Sequence, residues 1–162
     1  EIARQDKEHA HAGAPRRALS EGLQAVAYAG ANDLAAAQLH LAAFLDSPQL
    51  RAEVLVAVSA HLIAANATAL ARQTLQSALQ RDPLNQAALV QLLHLDIAQK
   101  NYGALCEHLR SYVRTRRPAP SLLARADAML ASDRFIFARQ RDAALALIRG
   151  VPGTGKTGQS SG

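Results

Sequence analysis

Eight residues near the C-terminal end, Gly150 to Thr157, read GVPGTGKT and satisfy the pattern Gly-x4-Gly-Lys-[Ser/Thr] at every required position. In that pattern the glycines let backbone N–H groups close around a phosphate, the lysine reaches its outer oxygens and the hydroxyl meets Mg²⁺. The chemistry also needs a strand before the loop, a helix after the lysine and an acidic residue on another strand to hold the metal. Only Gly-Gln-Ser-Ser-Gly follows Thr157. ALALIR (Ala144–Arg149) could pass for the preceding strand, and Leu-His-Leu-Asp (Leu93–Asp96) mimics the acidic one but lies inside a helical periodicity. No nucleotide-binding sheet can be built from these pieces. This polypeptide is therefore not expected to hydrolyse ATP.

The other reactive side chains do not converge. Cys106 and His108 are two apart on one expected helix, about 200° around its axis, so they make no thiolate–imidazole pair. Ser59 and His61 fail for the same reason. His40 and His108 share a place in the repeating pattern described below but stand two repeats apart, too far to hold one metal ion. His9 and His11 in EHAHA supply two imidazoles, short of a structural metal site. His94 is kept as a contact residue. No nucleophile has a base beside it and no carboxylates pair, so the expectation is no enzyme, no cofactor and no metal, with no catalytic residue assigned.

Function must then be sought in the elements that hold these residues. Of 162 residues, 49% are apolar but only 4% aromatic, with no Trp. Ala and Leu dominate, which favours helices packed through small side chains. A chain of this size buries a core without disulfide or metal, and the single Cys106 allows no internal disulfide. No apolar run approaches the roughly 20 residues of a membrane span, and no signal peptide is visible. A cytoplasmic compartment is expected; the alternative is the periplasmic-facing part of a membrane-anchored protein.

Charge is uneven. Residues 1–100 hold 8 Lys/Arg against 9 Asp/Glu, a net of −1, and residues 101–162 hold 10 against 4, a net of +6. A basic half can face nucleic acid, an anionic membrane or an acidic protein. A solvated surface is the favoured reading, and nucleic acid is disfavoured because the arginines are not interleaved with base-stacking aromatics.

Internal repetition is the strongest signal. NDLAAAQLHLAAFLDSP from Asn32, NATALARQTLQSALQRDP from Asn66 and KNYGALCEHLRSYVRTRRP from Lys100 align at a spacing of 34 residues. The matched columns are Leu34, Thr68 and Tyr102; Ala37, Ala71 and Leu105; Leu41, Leu75 and Leu109; Phe44, Ala78 and Tyr112; and Leu45, Leu79 and Val113. Asn101 falls one place beyond the equivalent of Asn32 and Asn66, and Pro48, Pro83 and Pro118 close the units with one-residue slippage.

Each unit splits into two helices. Ala37, Leu41, Phe44 and Leu45 fall at i, i+4, i+7 and i+8, one face of a 3.6-residue helix, and Ala71, Leu75, Ala78 and Leu79 repeat it. Asn32, Asp33 and Asn66 stand where an N-cap belongs. Asp82-Pro83 and Arg117-Pro118 stop helices. Helices are expected near 16–29, 33–46, 49–65, 67–81, 84–99, 102–115, 121–131 and 134–149. Three parts are expected: a polar, helical lead-in over 1–14, broken by Gly13 and Pro15; a repeat domain over 15–149; and a flexible Gly/Ser-rich tail over 150–162.

On these residues the chain resembles the tetratricopeptide repeat (TPR) family. The second unit carries the resemblance best, with Leu55, Val58, Ser59 and Leu62 followed by Ala71, Leu75, Ala78, Leu79 and Pro83. The third departs from the family pattern, with Leu93 and Leu105 at small-residue places and Asp96 at an aromatic one. The resemblance implies an all-α fold, a right-handed α-α superhelix of three to four helix pairs, whose first helices line a concave groove. Carried over, that groove is lined by Val56, Ala60, Ile63 and Ala64 from one unit and Val90, Gln91, His94 and Ile97 from the next. The Lys, Arg and Asn with which some such domains grip a carboxylate are missing at these places, so an amphipathic helix or peptide of another protein is the implied partner. The expectation is a bacterial-type adaptor without catalysis, with self-association left open. GVPGTGKT in turn resembles the phosphate loop of AAA-type ATPases, which gives the alternative: a helical regulatory or targeting segment of a larger NTPase, cut after that motif.

Overall fold

A computed structural model describes the backbone of residues 2–132 and 138–153, and the side chains of 13–132 and 139–153. Among the described residues the chain is all-α: α1 (Ile2–Gly30), α2 (Leu34–Leu45), α3 (Ala52–Ala64), α4 (Thr68–Arg81), α5 (Gln86–Gln99), α6 (Tyr102–Tyr112), α7 (Pro120–Ser132) and α8 (Ala138–Arg149). No strand occurs among them. Each expected helix is present, and most are a few residues shorter than the periodicity suggests.

The lead-in is where expectation and structure part. Gly13 and Pro15 do not break the chain; both lie inside α1, which runs from Ile2 without interruption. A proline deletes one backbone donor and crowds one carbonyl, and here the helix continues on both sides of it. The start of the repeat domain at residue 15 therefore marks no structural boundary.

The repeat period reappears in the backbone. Asn32, Asn66 and Lys100 stand 34 residues apart, and all three adopt left-handed backbone, with φ of 62°, 60° and 51°. In each case the next residue donates its N–H five residues back: Asp33 to Tyr28 O, Ala67 to Leu62 O and Asn101 to Asp96 O, each at 2.9 Å. The left-handed residue itself donates to Ala29, Ile63 or Ile97. This is a Schellman-type ending, in which a left-handed residue lets the last free carbonyls of a helix be satisfied. Asn32 and Asn66 thus end α1 and α3 rather than cap α2 and α4. The capping residues stand one place later. Asp33 accepts from Ala36 N and Asn101 from Ala104 N, while Ala67 offers no side chain.

Three of the five 34-residue columns are also columns of burial. Ala37, Ala71 and Leu105 are fully buried, and so are Leu41, Leu75 and Leu109, and Phe44, Ala78 and Tyr112. Small residues set the helix spacing. A Cβ on Gly22 would sit 2.8 Å from the Phe44 ring, so only glycine lets α1 lie this close to α2.

Where one repeat domain was expected over 15–149, the chain divides into two compact units, Glu1–Asp82 and Pro83–Gly162. The junction has a local cause. The residue before a proline is driven out of the α region, and Asp82 is extended at φ −139° and ψ 93°. In the first unit α1 pairs with α2 and α3 with α4, and α1 also touches α3 as α2 touches α4. The second unit repeats this with α5–α6, α7–α8, α5–α7 and α6–α8. Each unit is two helix hairpins laid first helix on first and second on second.

Candidate interaction surfaces

The eight residues expected to line a groove fall on two helices, one in each unit. On α3, Leu55, Ser59 and Leu62 form the fully buried face. Ala60, Ile63 and Ala64 lie beside that face and reach the surface, with Ala60 and Ala64 exposed and Ile63 half-buried. Val56 does not join them. It is 8% exposed and belongs to the core. It is withdrawn as a contact residue.

On α5, Leu89, Leu92, Leu93 and Asp96 are fully buried, while Val90, Gln91 and Ile97 are half-buried and His94 is exposed. His94 is fixed from α7: Arg125 Nη1 lies 3.1 Å from its Nδ1. Arginine can only donate, so this nitrogen accepts and the imidazole proton sits on Nε2. Partial burial and then the Arg125 charge hold the His94 pKa below its ordinary value. The outward stripe of α5 thus carries two β-branched residues, the Gln91 amide and the His94 ring.

Cys106, His108 and Ser59 each have partners of their own. Cys106 is buried with Sγ 3.8 Å from Gln140 O on α8, and burial raises its thiol pKa despite the Arg110 charge. His108, two residues on, turns instead toward α5. The two side chains have different neighbours, and a thiol so placed is a poor nucleophile. Ser59 spends its hydroxyl on Val56 O at 2.7 Å. Leu93–Asp96 is helical, as the repeat demanded, and Ala144–Arg149 is helical too, so GVPGTGKT follows a helix rather than a strand. Gly150 N and Val151 N return to Ala146 O and Ile148 O in a helix ending. Lys156 and Thr157, and the tail beyond Gly153, lie outside the described residues, as do the side chains of His9 and His11.

Three features escaped sequence reasoning. Asp96, read as an intruder at an aromatic place, is fully buried, with Oδ2 2.6 Å from His108 Nδ1. The equivalent places in the first hairpin hold Tyr28 and His40, whose rings stack at 5.1 Å and 4°, with Glu21 Oε2 2.5 Å from His40 Nδ1. The signal was available: the 12-residue spacing of Tyr28 and His40 recurs at Asp96 and His108. Second, Leu19 and Leu23 stand one turn apart on α1, 41% and 55% exposed. Third, Arg81 holds the α2–α3 connection from α4 by donating to Leu45 O and Leu50 O.

Among the described residues no helix is long and apolar enough to cross a membrane. Compared with protein-family models, curated proteins and solved structures, the chain finds no match.

Proposed function

We propose that this chain is a non-catalytic interaction scaffold of the tetratricopeptide-repeat type, which receives an amphipathic helix or peptide of another protein on the outward stripes of its first helices. The observation that carries the reading is the triple turn at Asn32, Asn66 and Lys100, with the same hydrogen bonds at a 34-residue spacing. A chain that repeats one hairpin by one turn is built for stacking, and stacked hairpins leave a stripe of each first helix uncovered by its neighbours.

The stripe chemistry supports an apolar partner. Ile63 and Ile97 occupy one repeat place, and Ala60 and His94 another. No charged residue stands at any of the seven remaining positions. The compartment that goes with this reading is the cytoplasm. The competing reading, a segment of a larger NTPase, rests on GVPGTGKT, and the helix that precedes it stands where that motif requires a strand.

The test is affinity capture with the whole chain, followed by mass spectrometry, run beside Ile63→Asp and Ile97→Asp. Burying an isoleucine side chain is worth about 1.5–3 kcal/mol, so each change should weaken capture of a direct partner by at least about tenfold. Helicity should stay at the wild-type level. A folded double variant that captures the same proteins equally well would move the site off these stripes.

A further inference from the structure

The second unit carries positive charge that its own acids leave unbalanced. Residues 83–162 hold 11 Lys/Arg against 5 Asp/Glu. Three of those acids are engaged internally: Asp96 with His108, Asp127 with Arg149 and Asp142 with Arg141. Arg110, Arg114, Arg116 and Arg117 are exposed, and among the described residues none has a carboxylate at ion-pair distance.

Three of these arginines stand on the connection between α6 and α7, and that connection is tied down. The Tyr112 ring is fully buried at the end of α6. Its hydroxyl accepts from Ala119 N at 2.7 Å, and its carbonyl accepts from Thr115 Oγ1 at 2.7 Å and Thr115 N at 3.0 Å. From α5, Gln86 Nε2 donates to Arg117 O at 2.7 Å. The backbone that displays three guanidiniums within four residues is thus ordered before any ligand arrives, which removes a cost that a loose loop would meet on binding. Beside it Val113, Arg116 and Pro118 share a cleft of about 420 Å³ with Leu147, Val151 and Pro152 from the end of α8.

We infer that this connection and cleft form a docking surface for an acidic segment of another protein, with carboxylates on Arg114, Arg116 and Arg117 and one apolar side chain in the cleft. A guanidinium presents a planar fork of donors that matches a carboxylate. The cleft is concave and mixed in lining, with Val113, Pro118, Leu147 and Val151 beside Thr115 and Arg116, a shape that takes a single side chain rather than a flat bilayer. Nucleic acid fits less well, because the aromatic of this connection, Tyr112, is buried and can stack no base. The surface uses none of the residues of the α3 and α5 stripes, so it stands or falls independently of them.

The probe is a short fluorescein-labelled peptide of glutamates flanking a leucine, read by anisotropy against the whole chain at low salt. Saturable binding is expected. It should weaken at least about tenfold when Arg114→Gln, Arg116→Gln and Arg117→Gln are combined, and again when salt rises from about 0.05 to about 0.5 M. Replacing the glutamates of the probe by glutamine should abolish binding, and replacing its leucine by alanine should weaken it; neither change touches the fold. Ile63→Asp should leave it unaltered. The inference is overturned by no saturable binding, by equal binding to the arginine variant, or by preference for a single-stranded oligonucleotide or phosphatidylserine vesicles over the peptide.

Discussion

Removing either member of the Asp96–His108 pair should be among the most damaging single changes the second unit can suffer. The Asp96 side chain is 0% exposed and that of His108 10%, with 2.6 Å between them. Truncating one partner takes a buried hydrogen bond to a carboxylate away from the other, which costs about 1.5–3 kcal/mol. The first hairpin supplies a control at the same repeat place. His40 and Glu21 are just as close, but their side chains are 27% and 36% exposed, and a solvated pair is worth about 0–1 kcal/mol. Geometry alone would rank the two pairs alike; burial separates them.

The assay is urea unfolding followed by circular dichroism on the wild type, Asp96→Ala, His108→Ala and the double variant, with His40→Ala as reference. Each single change in the buried pair should cost about 1.5–3 kcal/mol, and the cycle should return a coupling of at least about 1 kcal/mol. His40→Ala should cost under about 1 kcal/mol. Thermal midpoints should fall by roughly 3–12 °C for the buried variants, at about 2–4 °C per kcal/mol for a chain of this size. Replacing both residues with leucine should recover much of the loss, since a buried pair exchanged for apolar side chains is often neutral. Single variants that cost no more than His40→Ala, or a coupling near zero, would refute the reasoning.

Lys100 holds a left-handed backbone at φ 51° without the help that asparagine gives at Asn32 and Asn66, so Lys100→Gly should stabilise by about 1 kcal/mol in the same urea assay. Ala71 is fully buried and Gln80 exposed, so Ala71→Leu should overpack and cost about 1–3 kcal/mol while Gln80→Leu stays within about 0.5 kcal/mol of wild type. His94 has a lowered pKa, first from burial and then from Arg125. The unfolded chain therefore binds its proton more readily, so the His94 contribution to stability is present above the ordinary histidine pKa and is lost as pH falls below it. An NMR titration should find its midpoint below about 6.5, and Arg125→Gln should move it part of the way back.

The helices were legible because their periodicity is redundant: four apolar columns at 34-residue spacing outvote any single residue. Punctuation was less legible, for a chemical reason. Asparagine serves equally as an N-cap, through its side-chain oxygen, and as the left-handed residue that ends a helix. At Asn32 the neighbouring Asp33 takes the cap and leaves Asn32 the turn. Lys100 is the more instructive case, since nothing in its side chain advertises a left-handed backbone. Its place in the repeat does. The candidate stripe was legible only by analogy of position, and Val56 shows the limit of that: it is buried by whichever neighbour packs there, which spacing does not specify.

The break between Asp82 and Pro83 gives the charge asymmetry a structural meaning that the sequence by itself did not. Counted by unit, residues 1–82 hold 7 Lys/Arg against 8 Asp/Glu and residues 83–162 hold 11 against 5. The split is as sharp as the one first drawn at residue 100, because Asp96 and Lys100 cancel. Charge that merely kept the chain in solution would have no reason to gather three arginines on a connection tied by Tyr112 and Gln86. Nor does helix termination require it: Asp46 ends α2, and α3 closes at Ala64–Ala65, with no arginine in the following turn. One repeat therefore supplies two kinds of surface from one backbone. On α3 of the first unit Ala60, Ile63 and Ala64 reach the surface, and the α6–α7 connection of the second carries three arginines on a tied backbone. A partner segment with an apolar stripe would suit the first and one with carboxylates around an apolar residue the second.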